Sequence, residues 1–354
     1  MSGGVDSSVA AALLVEQGYD VVGTTMKLFC HDGDLPDRPC CSLDSVNDAR
    51  RVCHTLGVPH YVLNLESAFG RDVVDDFVGE YSRGRTPIPC VRCNTFTKFR
   101  DLVAKADAME AHWIATGHYA RMIDGALHRG LDPVKDQSYF LWGIDQRVLS
   151  RMLLPVGAQT KAETRAVAHE LGLELIAEKR ESQDICFVPD GDHTRIIARI
   201  LGTDTAALAR GPVVLRDGRV VGEHDGYARF TVGQRRGLPG GFAEPMFVVA
   251  IEPGTRAVVI GTRDELLGHG IVAREVNWLA TPEIGAEVSV QIRHRSRAVP
   301  GVIVRIAPDE VEVALEEPAS AISPGQSMVL YDGDRVLGGG VIERGRRALP
   351  VRAA

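Results

Sequence analysis

The first residues of the chain combine groups that could bind an oxyanion. Residues 2–8 contain two glycines, three serines and an aspartate, and the apolar run 9–14 follows directly. The glycines let the backbone approach a phosphate, the hydroxyls can donate to it, and the unpaired amides of the following helix point towards it. A turn capped by serines is the alternative for a glycine pair alone. The pattern predicts a phosphate loop of Ser2, Gly3, Gly4, Val5, Asp6, Ser7 and Ser8; it lacks the Gly-Lys-Ser/Thr of a Walker loop.

Cysteines form the second group of reactive side chains. The seven thiols are an odd number in a large chain, which favours reactive or metal-binding thiols over a disulfide scaffold. Cys90 and Cys93 form a Cys-x-x-Cys pair, and we expect Asn94 to cap a helix whose amides favour a thiolate. Because that dipole supplies roughly 0.3–1 kcal/mol, less than one pKa unit, Arg92 or a substrate-side cation must assist.

Other interpretations of the cysteines are weaker. A zinc half-site lacks a second pair at matching spacing, and flanking prolines disfavour a thioredoxin-like motif. Cys186 alone could be an incidental buried thiol. The remaining cysteines are Cys30, Cys40, Cys41 and Cys53.

The composition indicates an ordinary soluble globular protein. A length of 354 residues predicts two or three domains, and the chain is 25% charged and 45% hydrophobic. No apolar run of about eighteen residues and no signal-peptide pattern occur, so we expect a cytoplasmic protein without a membrane span. The formal net charge of -7 argues only weakly against a nucleic-acid partner, because a local basic patch would suffice.

The elements that position these residues alternate between strands and helices. Strands are predicted at 20–26, 60–64 and 112–116, and helices at 9–18, 43–56, 67–83 and 94–109. A loop is predicted at 27–41, and two prolines exclude a helix from 85–93. Parallel strands are implied, and Gly117 should lie beside the phosphate loop where strands end. Such a loop normally follows a central strand, so we expect Met1 to be an internal methionine of a longer chain.

The second half of the chain is rich in predicted strands. The run 135–141 is too polar at its head for a core helix and could face a substrate, Thr160–Glu163 forms a capping box, and Cys186 lies in the predicted loop 179–187. From Gly211 onward, short β-branched runs alternate with Asp-Gly and Gly turns. The predicted fold is α/β: a parallel-sheet, Rossmann-like nucleotide-binding domain at 1–205, a small β-rich middle domain at 206–268 and a β-barrel-like domain at 269–354.

Several strings together resemble one enzyme family. Residues 2–8 resemble the signature of the N-type ATP pyrophosphatases, or PP-loop superfamily, which adenylate a substrate oxygen. Nearly the whole chain resembles the tRNA-specific 2-thiouridylases. The strings that carry the second resemblance are the phosphate loop, 84–87 leading to Cys93-Asn94, 115–119, 135–140, 185–187, 231–238 and 323–327.

The resemblance implies an ATP-dependent reaction on the wobble uridine of certain tRNAs. ATP with Mg²⁺ adenylates the C2 oxygen, and a cysteine persulfide displaces AMP to give 2-thiouridine. Cys186 corresponds to the persulfide carrier and Cys93 to the nucleophile that releases sulfur, the two ending as a disulfide. Met26 and Gly117 correspond to adenosine-binding positions, and Asp6 could orient magnesium or the loop, or simply cap the turn. The implied sulfur donor is a cysteine desulfurase or a sulfur-relay protein.

The resemblance also implies contacts to tRNA. The corresponding residues are His118, Lys135, Asp136, Gln137, Arg293, His294 and Gln326. Arg293, Arg295 and Arg297 alternate, so on a strand they would face one side and line a phosphate track. A solvated strand face is the alternative.

One position departs from the simpler family pattern. Some members have an aspartate where this chain has Cys90, so Cys90, Cys93 and Cys186 could instead hold an iron–sulfur cluster with one open iron. We favour the persulfide route. A non-catalytic RNA-binding or iron–sulfur protein with a relict ATP loop is the alternative from another class.

Overall fold

The computed structural model describes residues 1–29, 43–179 and 185–347. Most of the predicted 27–41 loop, with Cys30, Cys40 and Cys41, lies outside these residues, as do residues 180–184 of the loop before Cys186. The chain divides into two compact units. The first unit comprises residues 1–73, 90–191 and 334–336, and the second comprises 74–89, 192–333 and the described residues from 337 onward.

The first unit contains the predicted alternation of helices and parallel strands. β1 pairs in parallel with β2, and β3 pairs in parallel with β6. Helix α1 is apolar on most faces and packs with α8 and α9 around Val9, Val156 and Ala168, all fully buried. The helices and strands of this half are α1 Val5–Glu16, β1 Gly23–Lys27, α2 Leu43–Thr55, β2 His60–Asn64, α3 Glu66–Phe69, α4 Asp75–Ser82, α5 Pro89–Arg92, α6 Phe99–Ala108, β3 Ile114–Ala115, β4 Ala120–Ile123, β5 Ala126–Arg129, α7 Gln146–Leu149, β6 Met152–Leu153, α8 Lys161–Glu170 and α9 Glu174–Ala177. Helix α4 belongs to the second unit.

Two predictions about helix starts are wrong. Helix α1 begins at Val5, so half of the phosphate loop is its first turn. Helix α5 begins at Pro89 and continues through a π-helical turn, Cys93–Lys98, into α6, although the prolines were expected to exclude a helix there. A proline is tolerated in a first helical turn, because its missing N–H would have no partner there. Asn94 therefore lies inside the helix and is not its N-cap.

The second unit contains two β structures. The middle sheet has the strand order β8-β7-β10-β9, and the remaining six strands form a barrel in the order β11-β14-β13-β12-β15-β16 that is closed by pairing of β11 with β16. Alternate apolar side chains such as Ile271, Val313 and Leu330 fill the barrel. The elements are α10 Thr194–Leu201, β7 Arg210–Leu215, β8 Val220–Asp225, β9 Phe247–Glu252, β10 Ala257–Gly261, β11 Leu267–Trp278, β12 Glu287–Gln291, β13 Val299–Ala307, β14 Glu310–Ser320, β15 Ser327–Asp332 and β16 Arg335–Arg346.

The arginine track predicted on a strand is wrong. Arg293, Arg295 and Arg297 lie in the connection between β12 and β13, where Arg295 has a positive φ of 63°. The amide and hydroxyl of Ser296 both donate to the carbonyl of Arg293 and close a turn. The alternation therefore does not place the three side chains on one face of a strand.

Among the helices that the structure describes, none is long and apolar enough to cross a membrane.

Candidate active site

The phosphate loop is built as the first turn of α1. Gly4 is the extended N-cap residue, and no side chain caps the helix. The hydroxyl of Ser8 donates to the Gly4 carbonyl at 2.9 Å, and the Ser7 hydroxyl donates to the same carbonyl at 3.2 Å while accepting from the Ser2 amide at 3.0 Å. These bonds brace the turn, and the amides of its first residues form the positive end of the helix. That arrangement suits a phosphate group.

Asp6 ties this turn to two other segments of the first unit. Its Oδ1 accepts from the Lys161 ammonium at 2.7 Å and from the Tyr119 hydroxyl at 2.9 Å. Lys161 is buried, with 9% of its surface exposed, and its ammonium lies over the Tyr119 ring. The predicted capping box is present, with Thr160 and Glu163 bonded reciprocally, and it fixes the start of the helix that carries Lys161.

A second lysine also contacts the loop. The Lys179 ammonium donates to the Gly3 carbonyl at 3.0 Å and to the carboxylate of Asp48 at 2.8 Å. Gly3 has a positive φ of 69°, which favours glycine. Two ammonium groups therefore flank the loop, although the loop has no lysine of its own.

The residues expected to bind adenosine lie at strand ends. Met26 is near the end of β1, and Gly117 follows β3. A Cβ on Gly117 would lie 2.6 Å from the carbonyl carbon of Asp6 and from the amide nitrogen of Ser7. The Gly117 turn therefore packs directly against the first turn of α1, as predicted from the meeting of strand ends and phosphate loop.

The turn after β3 is closed by a neutral histidine. The Nδ1 atom of His118 shares a hydrogen bond of 2.8 Å with the Thr116 hydroxyl. Burial, assisted by the positive charge of Lys98, lowers the pKa of His118 to about 3. His118 is therefore uncharged near neutral pH, so a contact to RNA would use it as a neutral hydrogen-bonding group.

The two clustered cysteines share one helical segment. Cys90 is in the first turn of α5 and Cys93 is three residues later, so both occupy neighbouring positions on one helix face. Cys93 is buried and Cys90 is exposed. Although the Cys90 side chain reaches solvent, the surrounding protein raises the pKa of its thiol by desolvation, and Lys98 opposes that effect. Arg92, the cation expected to act on a thiolate, lies over the Phe96 ring, and its role toward the thiols stays a prediction.

Cys186 lies beside an anchored aromatic residue. The next residue, Phe187, is buried and packs edge-on against Phe69, with ring centroids 5.5 Å apart. Cys186 itself is half-buried. A fixed backbone with a partly accessible thiol suits a group that must meet more than one partner. Among the described cysteines, Cys53, Cys90, Cys93 and Cys186 are not disulfide-bonded.

The polar run 135–140 braces the site from within the first unit. The Asp136 carboxylate accepts from Arg129, from the Gly130 amide and from both the amide and hydroxyl of Ser138. Gln137 exchanges hydrogen bonds with the backbone of Tyr119. These contacts give Asp136 and Gln137 a role in holding the Tyr119 segment.

The same run also meets the cysteine helix. The side-chain amide of Asn94 donates to the Phe140 carbonyl at 3.1 Å. Lys135 is half-buried. The contacts of 135–137 to tRNA stay predictions.

The remaining candidate RNA-binding residues lie in the second unit, where they make internal bonds. The Arg293 guanidinium donates to the carbonyls of Val232 and Ala321 at 2.8 and 3.1 Å. The Gln326 amide donates to the carbonyls of Thr86 and Pro87 at 2.9 and 3.3 Å. His294 is half-buried in the same turn as Arg293. Roles of these residues in tRNA binding stay predictions.

The cysteines do not form a metal site as arranged. Within residues 1–29, 43–179 and 185–347, no three histidine, cysteine, aspartate or glutamate side chains are grouped to hold a metal ion. Cys90, Cys93 and Cys186 all belong to those ranges. These three cysteines therefore do not fit an iron–sulfur cluster in this arrangement.

Sequence reasoning missed the lysines around the site. Lys161 is recognisable in the sequence only as part of a capping box, Lys179 precedes a loop, and Lys98 sits within a helix. Lys161 and Lys179 contact Asp6 and Gly3, which are more than 150 residues away in the sequence. Lys98 acts on Cys90, eight residues before it. No local sequence pattern indicates these interactions.

Comparisons with known proteins place these features in a family context. A family model described as the tRNA methyl transferase HUP domain matches residues 1–190. The tRNA methyl transferase PRC-barrel domain matches 201–262, and the aminomethyltransferase beta-barrel domain matches 268–342.

Similar proteins that match nearly the whole chain are named tRNA-specific 2-thiouridylases. The chain is 48% identical to the tRNA-specific 2-thiouridylase MnmA of Rhodospirillum centenum, over 97% of this chain and 90% of that protein. It is 48% identical to the MnmA of Geotalea uraniireducens, over 97% and 93% of the two chains. It is 45% identical to the MnmA of Acidithiobacillus ferrooxidans, over 97% of each chain.

Proposed function

Because the chain belongs to the tRNA-specific 2-thiouridylases, a family of tRNA-modifying sulfurtransferases, we propose that it converts the wobble uridine of tRNA to 2-thiouridine with ATP and a cysteine persulfide. One observation carries the proposal. A helix N-terminus flanked by two lysines shares a compact unit with the two thiols Cys93 and Cys186. The first feature suits activation of an oxygen by a nucleotide, and the second suits delivery of sulfur.

The activation step uses the phosphate loop. A carbonyl oxygen is a poor leaving group, so attack of the uridine C2 oxygen on the α-phosphate of ATP, with loss of pyrophosphate, converts it to a phosphate ester. The first-turn amides of α1 and the Lys161 and Lys179 ammonium groups would hold the pyrophosphate. Mg²⁺ would neutralise phosphate charge, and Asp6 is the carboxylate closest in sequence to that position.

The sulfur step uses two thiols in sequence. The terminal sulfur of a Cys186 persulfide attacks C2, and AMP leaves with the electron pair of the broken C–O bond. The Cys93 thiolate then attacks the Cys186 sulfur, which forms a Cys93–Cys186 disulfide and leaves the former terminal sulfur on the uridine. A reductant must reopen that disulfide, and a cysteine desulfurase or sulfur-relay protein must reload Cys186 before the next turnover.

Recognition of tRNA requires the wobble base to leave its stack. We assign contacts with tRNA to His118, Lys135, Asp136, Gln137, Arg293 and His294. The cytoplasm, where tRNA is found, is the expected compartment.

Replacing each cysteine in turn tests the division of roles. We expect Cys93→Ser and Cys186→Ser to abolish 2-thiouridine formation, because each removes an obligatory sulfur atom, and Cys90→Ser to leave partial activity. Cys53→Ala, at a buried position in α2, is the matched control that should keep activity. Nucleoside analysis of the tRNA gives the readout. Equal loss at Cys90, Cys93 and Cys186, together with a brown anaerobic preparation, would contradict the persulfide route.

A further inference from the structure

Gln326 holds the chain segment that leads into the cysteine helix. Its side-chain amide donates to the carbonyls of Thr86 and Pro87, which lie three and two residues before the start of α5 at Pro89. The Thr86 amide in turn donates to the Pro324 carbonyl at 2.9 Å. Gln326 and Pro324 precede β15 of the barrel. The barrel therefore holds this segment through one backbone hydrogen bond and two side-chain hydrogen bonds.

The fit between the two segments is close. Gly325 has a positive φ of 89°, and a Cβ there would lie 2.8–3.0 Å from backbone atoms of Thr86. A side chain at this position would push the segment away from the barrel. The 323–327 turn is thus shaped to accept residues 86–87.

Residues of the middle domain also contact the same segment within the second unit. The Thr86 hydroxyl donates to the Thr231 hydroxyl at 3.2 Å, and the Tyr227 hydroxyl donates to the Ser82 carbonyl at 2.7 Å. A Cβ on Gly84 would lie 2.8 Å from Ile251.

Charged groups complete the attachment. Arg85 donates to Glu80 at 2.7 Å and to Glu343 at 2.5 Å, and 18% of its side chain is exposed. Burial acts against its charge, but these two carboxylates raise the pKa of Arg85. The segment from Glu80 to Pro87 is therefore fixed by both β structures of the second unit.

We propose that Gln326 is a positioning residue for Cys90 and Cys93, which acts by fixing the 84–89 segment from which their helix starts. The proposal deepens the proposed thiolation function and rests on it for its catalytic consequence. Pro89 is the first residue of α5, and Cys90 follows it by one peptide bond. Fixing the carbonyls of residues 86 and 87 sets where that helix begins.

The test compares Gln326→Ala with two other variants of the full-length protein. Thr231→Val removes the hydroxyl partner of Thr86 from the middle domain and should act in the same direction with a smaller effect. Gln291→Ala removes a buried amide that donates to the Arg293 carbonyl in the same barrel, and it controls for loss of a buried hydrogen bond. The readouts are the rate of iodoacetamide alkylation at each cysteine by peptide mass spectrometry, tRNA affinity, and single-turnover 2-thiouridine formation.

We expect Gln326→Ala to raise the alkylation rate of Cys90 or Cys93 several-fold, because the helix start is released, with Cys53 and Cys186 unchanged. Single-turnover thiolation should fall by about tenfold, consistent with the loss of one to two hydrogen bonds, while tRNA affinity stays within about twofold. Gln291→Ala should leave the alkylation rates at wild-type values. Unchanged alkylation at Cys90 and Cys93 would overturn the positioning role, and a matching fall in tRNA affinity would make Gln326 an RNA contact. The alkylation readout needs no turnover, so absence of 2-thiouridine with wild-type protein would refute the proposed function separately.

Discussion

The Asp6–Lys161 pair should couple the phosphate loop to α8 by a measurable free energy. The charged atoms are 2.7 Å apart, and the exposed fractions of the two side chains are 33% for Asp6 and 11% for Lys161. Exposed pairs contribute about 0.2–1 kcal/mol, whereas breaking a fully buried pair costs about 3–5 kcal/mol. Because the carboxylate is one-third exposed and therefore partly screened, we expect a coupling of about 1–2 kcal/mol.

A double-mutant cycle isolates that term. Lys161→Met keeps the length of the side chain and removes its charge, and Asp6→Asn keeps the shape of the carboxylate. Urea unfolding of the wild type, both single variants and the double variant gives the four free energies of unfolding, which are comparable if the m-values agree. Tyr119→Phe is the matched control, since it removes the second donor to the same oxygen and leaves the ion pair. A coupling below about 0.3 kcal/mol would refute the reasoning, because additivity at that level is typical of independent sites.

Three further predictions concern the site and the second unit. Gly117→Ala should weaken ATP binding by about 5- to 150-fold in calorimetry, because overpacking against the first turn of α1 costs about 1–3 kcal/mol. Gly240→Ala, with open space around it, should not weaken it, and equal affinities of the two variants would contradict the packing argument. The pKa of His118 is lowered from 6.5 to about 3 in the folded protein. As pH falls below 6.5, the unfolded chain therefore binds a proton at this histidine while the folded protein does not, and the free energy of unfolding decreases. Between pH 7.5 and 5.0 the free energy of unfolding of the wild type should fall by up to about 2 kcal/mol more than that of the His118→Gln variant. An equal fall in the two proteins would contradict the low pKa of His118. Arg293→Ala should lower the free energy of unfolding in urea by about 2–3 kcal/mol, because it removes two hydrogen bonds to carbonyls. Arg295→Ala, at an exposed position, should change it by no more than about 0.5 kcal/mol. Equal changes for the two variants would contradict a stabilising role for the Arg293 contacts.

Much of the first unit could be predicted from local patterns. The helix over residues 43–55, the strand at 60–64 and the Thr160 capping box follow from periodicity and end signals that short segments contain in full. The closeness of Gly117 to the phosphate loop was also predictable, because parallel strands end at one edge of their sheet.

The errors occur at a helix start and at a turn, and contacts between distant residues lie beyond any local pattern. Pro87 and Pro89 were expected to exclude a helix, yet the helix begins at Pro89, because a first-turn proline lacks only an amide that would have no partner there. The arginines at 293–297 alternate as a strand would, but Ser296 closes a turn onto Arg293. No sequence pattern could pair Lys161 with Asp6, because 155 residues separate them.

The most direct measurement of the central claim is nucleoside analysis of tRNA after incubation with this protein, ATP, Mg²⁺, a cysteine desulfurase and cysteine. AMP and pyrophosphate are measured in the same reaction, and the Cys186→Ser protein serves as the control. We predict 2-thiouridine in the wild-type reaction, with AMP and pyrophosphate formed in step with it, and none with Cys186→Ser. Wild-type protein that yields no 2-thiouridine, or that yields it without AMP formation, would contradict the account.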